Sequence, residues 1–117
     1  MIRVLRQALA DAEAEAVVRP VRSDGEAITG PGRRLEVAAV TDWSARLGEM
    51  GDLPVGVAVL TPGGELPASF VIHVVVQSPE EPVTAAGVRR GLVNVLRRAS
   101  EFGIDSLALP PLGVGPG

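Results

Sequence analysis

Three glycines at alternate positions, Gly113, Gly115 and Gly117, close the chain in the run LGVGPG. Glycine lets the backbone approach a ligand and adopt positive φ without steric cost. Successive free N–H groups in such a loop form a nest for an anion. Taken alone, the six residues also read as a loose terminal tail. Their setting favours the nest, because Ile104 to Leu109 (IDSLAL) has the pattern of a short buried strand. A glycine loop at the carboxyl end of a strand lies where open α/β sheets bind ligands. Leu112, Gly113, Val114 and Gly115 are therefore candidate binding residues. Pro116 has no N–H to give, which makes the nest a small one. Arg22 to Arg34 (RSDGEAITGPGRR) reads as a polar loop and a second place where backbone could embrace a ligand, with Gly30 and Gly32 at its centre.

Catalytic chemistry has few carriers. The only histidine is His73, so a Ser–His or Cys–His apparatus would have to use it. It stands between Ile72 and Val74 in FVIHVVV, and the expectation is a buried, hydrogen-bonded structural histidine. Cysteine is absent, which excludes disulfides, thiolate metal sites and a cysteine nucleophile, and no second histidine completes a zinc site. All eleven basic residues are arginine, so a lysine nucleophile and a P-loop lysine are excluded as well. Asp11, Asp24, Glu26 and Asp52 show no spacing that argues paired acid/base work. Asp24, in RSDG, suits a turn. Catalytic residues are thus unknown from the sequence, and no metal or cofactor is expected.

The elements that must position these groups alternate between strands and helices. VGVAVL (55–60) and FVIHVVV (70–76) are short, β-branched and apolar, as strands buried on both faces are. TPGGELP between them predicts an antiparallel pair joined by a loop. Thr84 is a candidate N-cap for a helix with Val88, Leu92, Val95 and Leu96 on one face and a stop at Gly103. Arg89, Arg90, Arg97 and Arg98 form its solvated flank. Strand, helix and strand of this length predict a right-handed crossover between parallel neighbours. Residues 1–18 have helix-forming composition in QALADAEAEA, yet IRVL and AVV bracket it like two strands. Thr41 to Met50 predicts a short helix, with Trp43 more a core residue than a stacking platform.

The block TPGGELPASFVIHVV, followed by a helix and IDSLALPPLGVGPG, resembles the macrodomain family. Thr61, Gly63, Leu66, Pro67, Val71, Ile72 and His73 match the first motif of that family, and Pro111, Leu112, Gly113, Gly115 and Gly117 match its glycine loop. Val114 stands where threonine is usual. The resemblance covers roughly residues 55–117, and two ordered blocks at the right separation are more specific than either alone. It implies an α/β, three-layer α/β/α fold with a mixed sheet, whose glycine loop wraps the diphosphate and distal ribose of ADP-ribose. It also places Arg19 and Arg22 near the mouth of the cleft, where guanidinium forks suit phosphate. Ordinary ion pairing with Asp24 and Glu26 is the equal alternative. The departures fall on ligand contacts. The family's adenine-holding aspartate is matched by Gln7-Ala8-Leu9, and its asparagine-ended strand runs here into Arg19-Pro20-Val21-Arg22. The family continues past the glycine loop with a helix and strand that residues 1–117 do not include.

Length and composition fit a single domain: 117 residues, 46% of them hydrophobic. A net charge of −3 without a dense basic run disfavours DNA as a partner. The N-terminal segment lacks the apolar stretch of a signal peptide, and no run is long enough to span a bilayer, which predicts a cytoplasmic protein with no membrane partner. Three functions remain. The first is a binding module for ADP-ribose or a related diphosphate nucleotide, with weakened adenine recognition and ADP-ribosylated protein as a partner. The second is an ADP-ribosyl hydrolase. The third is a degenerate scaffold with an assembly role.

Overall fold

The computed structural model describes residues 2–5 and 13–110, the side chains of 3–5 excepted. In chain order the elements are β1 (Arg3–Leu5), β2 (Ala16–Arg22), α1 (Gly30–Ala39), α2 (Trp43–Gly48), β3 (Ala58–Pro62), β4 (Phe70–Gln77), α3 (Ala85–Glu101) and β5 (Ser106–Ala108). The valine-rich runs of β2 and β4 pair in parallel at the centre of a five-stranded sheet ordered β1-β5-β2-β4-β3. Among the described strands β3 alone runs antiparallel, along β4, so the sheet is mixed.

Alternation along the strands divides the core into two layers. Val17 and Val71 pack with Leu35, Trp43 and Leu47 of α1 and α2. Ala16, Val18, Ile72 and Val74 pack with Val95 and Ala99 of α3 on the opposite face. Helices thus cover both faces, as the α/β/α expectation requires. Thr84 caps α3 by accepting the Gly87 N–H at 3.0 Å. Gly91 lets α3 lie close to the sheet, since a Cβ there would stand 2.6 Å from Val74 Cγ2. Gly103, at φ +66, turns the chain out of the helix.

Several boundaries differ from the sequence reading. The run Arg22 to Arg34 is not all loop: α1 begins at Gly30, because Thr29 accepts the Gly32 N–H at 3.1 Å and Pro31 pre-sets the first turn. β3 begins at Ala58 rather than Val55, because Gly56 takes φ +101 and its N–H turns to the Val75 carbonyl. β5 is parallel to β4 but is not its neighbour; β2 lies between them. β2 also runs on through Pro20 to Arg22. Its pairing with β5 ends at Val17, and residues 26–28 then take over that side, Arg22 N–H donating to Glu26 and Ile28 N–H to Pro20. Pro20 only accepts there, so its missing N–H costs no ladder bond.

Candidate functional site

The carboxyl ends of β2, β4 and β5 converge on one edge of the sheet, and the N-terminus of α1 faces the same edge because α1 follows β2 by a short loop. Gly30 is the first helical residue; a Cβ there would meet only the end of the Arg34 side chain, at 3.2 Å. Gly32 is buried, and a Cβ would stand 3.3 Å from both Ala27 Cβ and Thr29 Oγ1, so it is a packing glycine. Of the two, Gly30 is the one open to a ligand. The first turn of α1 holds no carboxylate, yet Arg33 closes that turn and Arg34 follows it, both exposed, with Arg33 also donating to the Ala27 carbonyl at 3.4 Å. The positive end of the helix dipole makes that arrangement unfavourable by about 0.3–1 kcal/mol per charge, and an anion bound at the edge would reverse the sign.

Arg22 sits at the end of β2 with its side chain half exposed, paired with Asp24 at 3.0 Å. The Glu26 N–H and then Arg22 hold the Asp24 carboxyl below its usual pKa, against the opposing effect of partial burial. Arg19 is placed differently. It is mid-strand, wholly buried, and pointed between the sheet and α1. Its Nε donates to the Gly32 carbonyl at 3.1 Å, one terminal nitrogen to Glu36 at 3.1 Å and the other to His73 Nδ1 at 3.3 Å. The guanidinium carbon also lies 5.3 Å from the centre of the Trp43 ring. Burial lowers the pKa of Arg19, and Glu36 and Glu26 oppose that shift.

His73 is Arg19's register partner on β4 and is as fully buried. Arginine has only donors, so Nδ1 accepts and the ring proton is on Nε2. That proton is donated to Thr61 Oγ1 at 2.9 Å, and Thr61 donates in turn to the Pro62 carbonyl at 3.2 Å. Burial first, and then the Arg19 charge, push the His73 pKa down to about 3. The imidazole is neutral and fully engaged, which suits the structural role expected for it. Trp43, 1% exposed, packs edge-on to it with ring centres 5.0 Å apart, in the core as expected.

Glu36 is the residue that sequence reasoning missed. It accepts from Arg19 and from both the N–H (2.8 Å) and hydroxyl (3.0 Å) of Ser44, joining β2, α1 and α2. The available signal was a charge inside an apolar strand, which demands a buried partner. Leu112, Gly113, Val114 and Gly115 lie outside the described residues, as do Gln7, Ala8 and Asp11. Among the described residues, no group of three or more histidines, cysteines or carboxylates could hold a metal ion, and no helix is long and apolar enough to cross a membrane.

A family model described as Macro domain matches residues 23–117. An uncharacterized protein of Aeropyrum pernix is 40% identical over 128 residues; the alignment covers 98% of this chain and 63% of the relative, so the chain spans less than two thirds of that protein. Among solved structures, the macrodomain of Thermus aquaticus DarG superposes with a TM-score of 0.80 at 27% identity, covering 100% of this chain and 80% of that one. A Trypanosoma brucei macrodomain in complex with ADP-ribose gives 0.75 at 23% identity, over 97% of this chain and 48% of that one.

Proposed function

The chain belongs to the Macro domain family, and from that premise we propose that it is a binding module for ADP-ribose or a related diphosphate nucleotide. The observation that carries the reading is the cationic N-terminus of α1, where Gly30, Arg33 and Arg34 stand at the carboxyl edge and no carboxylate lies in the first turn. An anion there gains helix dipole, backbone N–H and guanidinium at once. Arg22, at the end of β2, adds a further guanidinium, while Arg19 works from beneath by tethering the Gly32 carbonyl and hence the pitch of that first turn. In this reading Gly113, Val114 and Gly115 present their N–H groups to the diphosphate from the β5 side, and Ala8 in place of an adenine-holding carboxylate weakens base recognition.

Hydrolysis is the lesser expectation. It needs a water or ribose hydroxyl held within a fraction of an ångström by directed polar groups. The one imidazole is neutral and engaged, and β2 carries Arg19 and ends in Arg22, with no short amide side chain. The test is calorimetric titration of the protein with ADP-ribose, beside an assay for release of protein-linked ADP-ribose. Gly113→Val should abolish binding by closing the backbone approach while leaving the melting temperature unchanged. Unaltered binding by that variant, or turnover without it being lost, would overturn the assignment.

A further inference from the structure

A second concavity, of about 330 Å³, opens between the ends of β2 and β4 and the loop leading into β3. That volume is at the lower end of the roughly 300–1,000 Å³ typical of small-molecule sites. Its walls are tied together before any ligand arrives. The Ser23 N–H donates to the Gln77 carbonyl at 2.8 Å, and the Ser23 carbonyl accepts the Leu53 N–H at 3.0 Å. Gly25, at φ +90, seats the adjoining turn on α2, where a Cβ would stand 2.6 Å from Leu47 Cβ.

Three polar side chains facing this space are unspent. Ser23 is 3% exposed, and its hydroxyl has no hydrogen-bond partner among the described residues. No fully enclosed side-chain nitrogen or oxygen among those residues lacks a partner, so the hydroxyl opens on the cavity rather than into the core. The Gln77 amide and the Asp52 carboxylate also line the space and are likewise uncommitted. At the rim Arg22 and Asp24 neutralise each other. The remaining charge is the carboxylate of Asp52.

The Asp52 carboxylate repels phosphate and asks for a cation, and the Ser23 hydroxyl and the Gln77 amide oxygen can both accept from its donors. A guanidinium has five N–H donors, no acceptor and a fixed planar fork that a carboxylate answers. We propose that this cavity is a docking site for the guanidinium of an arginine side chain presented by a protein partner, with Asp52 as its counter-ion and Ser23 and Gln77 as hydrogen-bond acceptors. The cavity shares Arg22 with the nucleotide edge, but its counter-ion and acceptors are other residues, so a failure of ADP-ribose to bind leaves it standing.

The probe is the blocked peptide acetyl-Gly-Arg-Gly-amide, titrated into ¹⁵N-labelled protein and followed by NMR. The expected result is a shift of the Ser23, Leu53 and Gln77 amide signals. The citrulline peptide, of the same shape but neutral, should bind about tenfold more weakly, and Asp52→Asn should cost the arginine peptide a similar factor. Free arginine should also be weaker, since its own carboxylate meets Asp24 and Asp52. Equal affinity for arginine and citrulline peptides, unchanged binding by Asp52→Asn, or no shift at millimolar peptide would overturn the site. Free arginine binding as tightly as the peptide would overturn the protein source. Displacement of the peptide by ADP-ribose would assign the cavity to the nucleotide instead.

Discussion

Arg19 carries its charge beneath the sheet because each nitrogen of its guanidinium has an acceptor, in Gly32, Glu36 and His73, and the Trp43 ring lies 5.3 Å away. The cost of that arrangement falls on His73. A charge against Nδ1, in a site without water, fixes the neutral tautomer and holds the ring pKa at about 3. In the unfolded chain the same ring titrates near 6.5. Between those values the unfolded state binds a proton that the folded state refuses, so stability is complete above about pH 6.5 and is lost as the pH falls towards 3. One proton corresponds to at most about 1.4 kcal/mol per pH unit. Urea unfolding of the parent and of His73→Gln at pH 7.0, 5.5 and 4.5 isolates this term, because the other titrating groups are common to both. The parent should lose stability more steeply by up to that slope. Parallel pH profiles would mean that His73 is not held neutral by the fold.

At the scale of elements, α1 is where sequence and structure diverge most, and both of its ends explain why. Its start is hidden in Gly30-Pro31-Gly32, which by composition is a loop; the Thr29 cap outweighs the glycines. Its end is marked by no glycine. Val40 takes φ 53, ψ 49, a left-handed conformation that a β-branched residue resists, and is 77% exposed. The conformation is imposed by the loop between β3 and β4, where the Glu65 N–H docks on the Ala39 carbonyl at 3.0 Å and Gly64 leaves room for it. Left-handed backbone costs an L-residue about 1–2 kcal/mol, and glycine gives back about 0.5–1 kcal/mol as entropy in the unfolded chain. Val40→Gly should therefore raise stability by about 1 kcal/mol, a few degrees in melting temperature. Val40→Ala, which keeps the Cβ, should gain little; equal gains from both would show that backbone strain is not the cause. By contrast β4, α3 and the β3–β4 loop were legible, because their valines, cap and turn residues act locally. The depth of Arg19 was not. It depends on residues 26–28 extending the pairing of β2, a tertiary event that no local pattern announces, and it moved one of the two anticipated guanidiniums from the cleft mouth into the core.

The whole molecule carries a net charge of −3, yet its proposed nucleotide edge gathers Arg22, Arg33 and Arg34. A dianionic ligand is thus repelled at long range and attracted within one Debye length, about 10 Å at 0.1 M salt. The attraction acts through exposed side chains that salt screens readily, and the neutral part of the ligand is left with less. On the proposed reading the diphosphate supplies most of the affinity, while the base contributes little. Titration with ADP-ribose and its guanine counterpart, GDP-ribose, at 20, 100 and 500 mM sodium chloride separates these contributions. The two nucleotides should bind within about threefold of each other at every salt concentration, well short of the discrimination of about 1.4 kcal/mol that corresponds to tenfold. Both should weaken together as salt rises, and Arg33→Gln with Arg34→Gln should flatten that dependence by removing the screened charges. Strict preference for adenine would place the recognition on the base and hence on residues 6–12. Salt-independent binding would instead take the arginines of α1 out of the site.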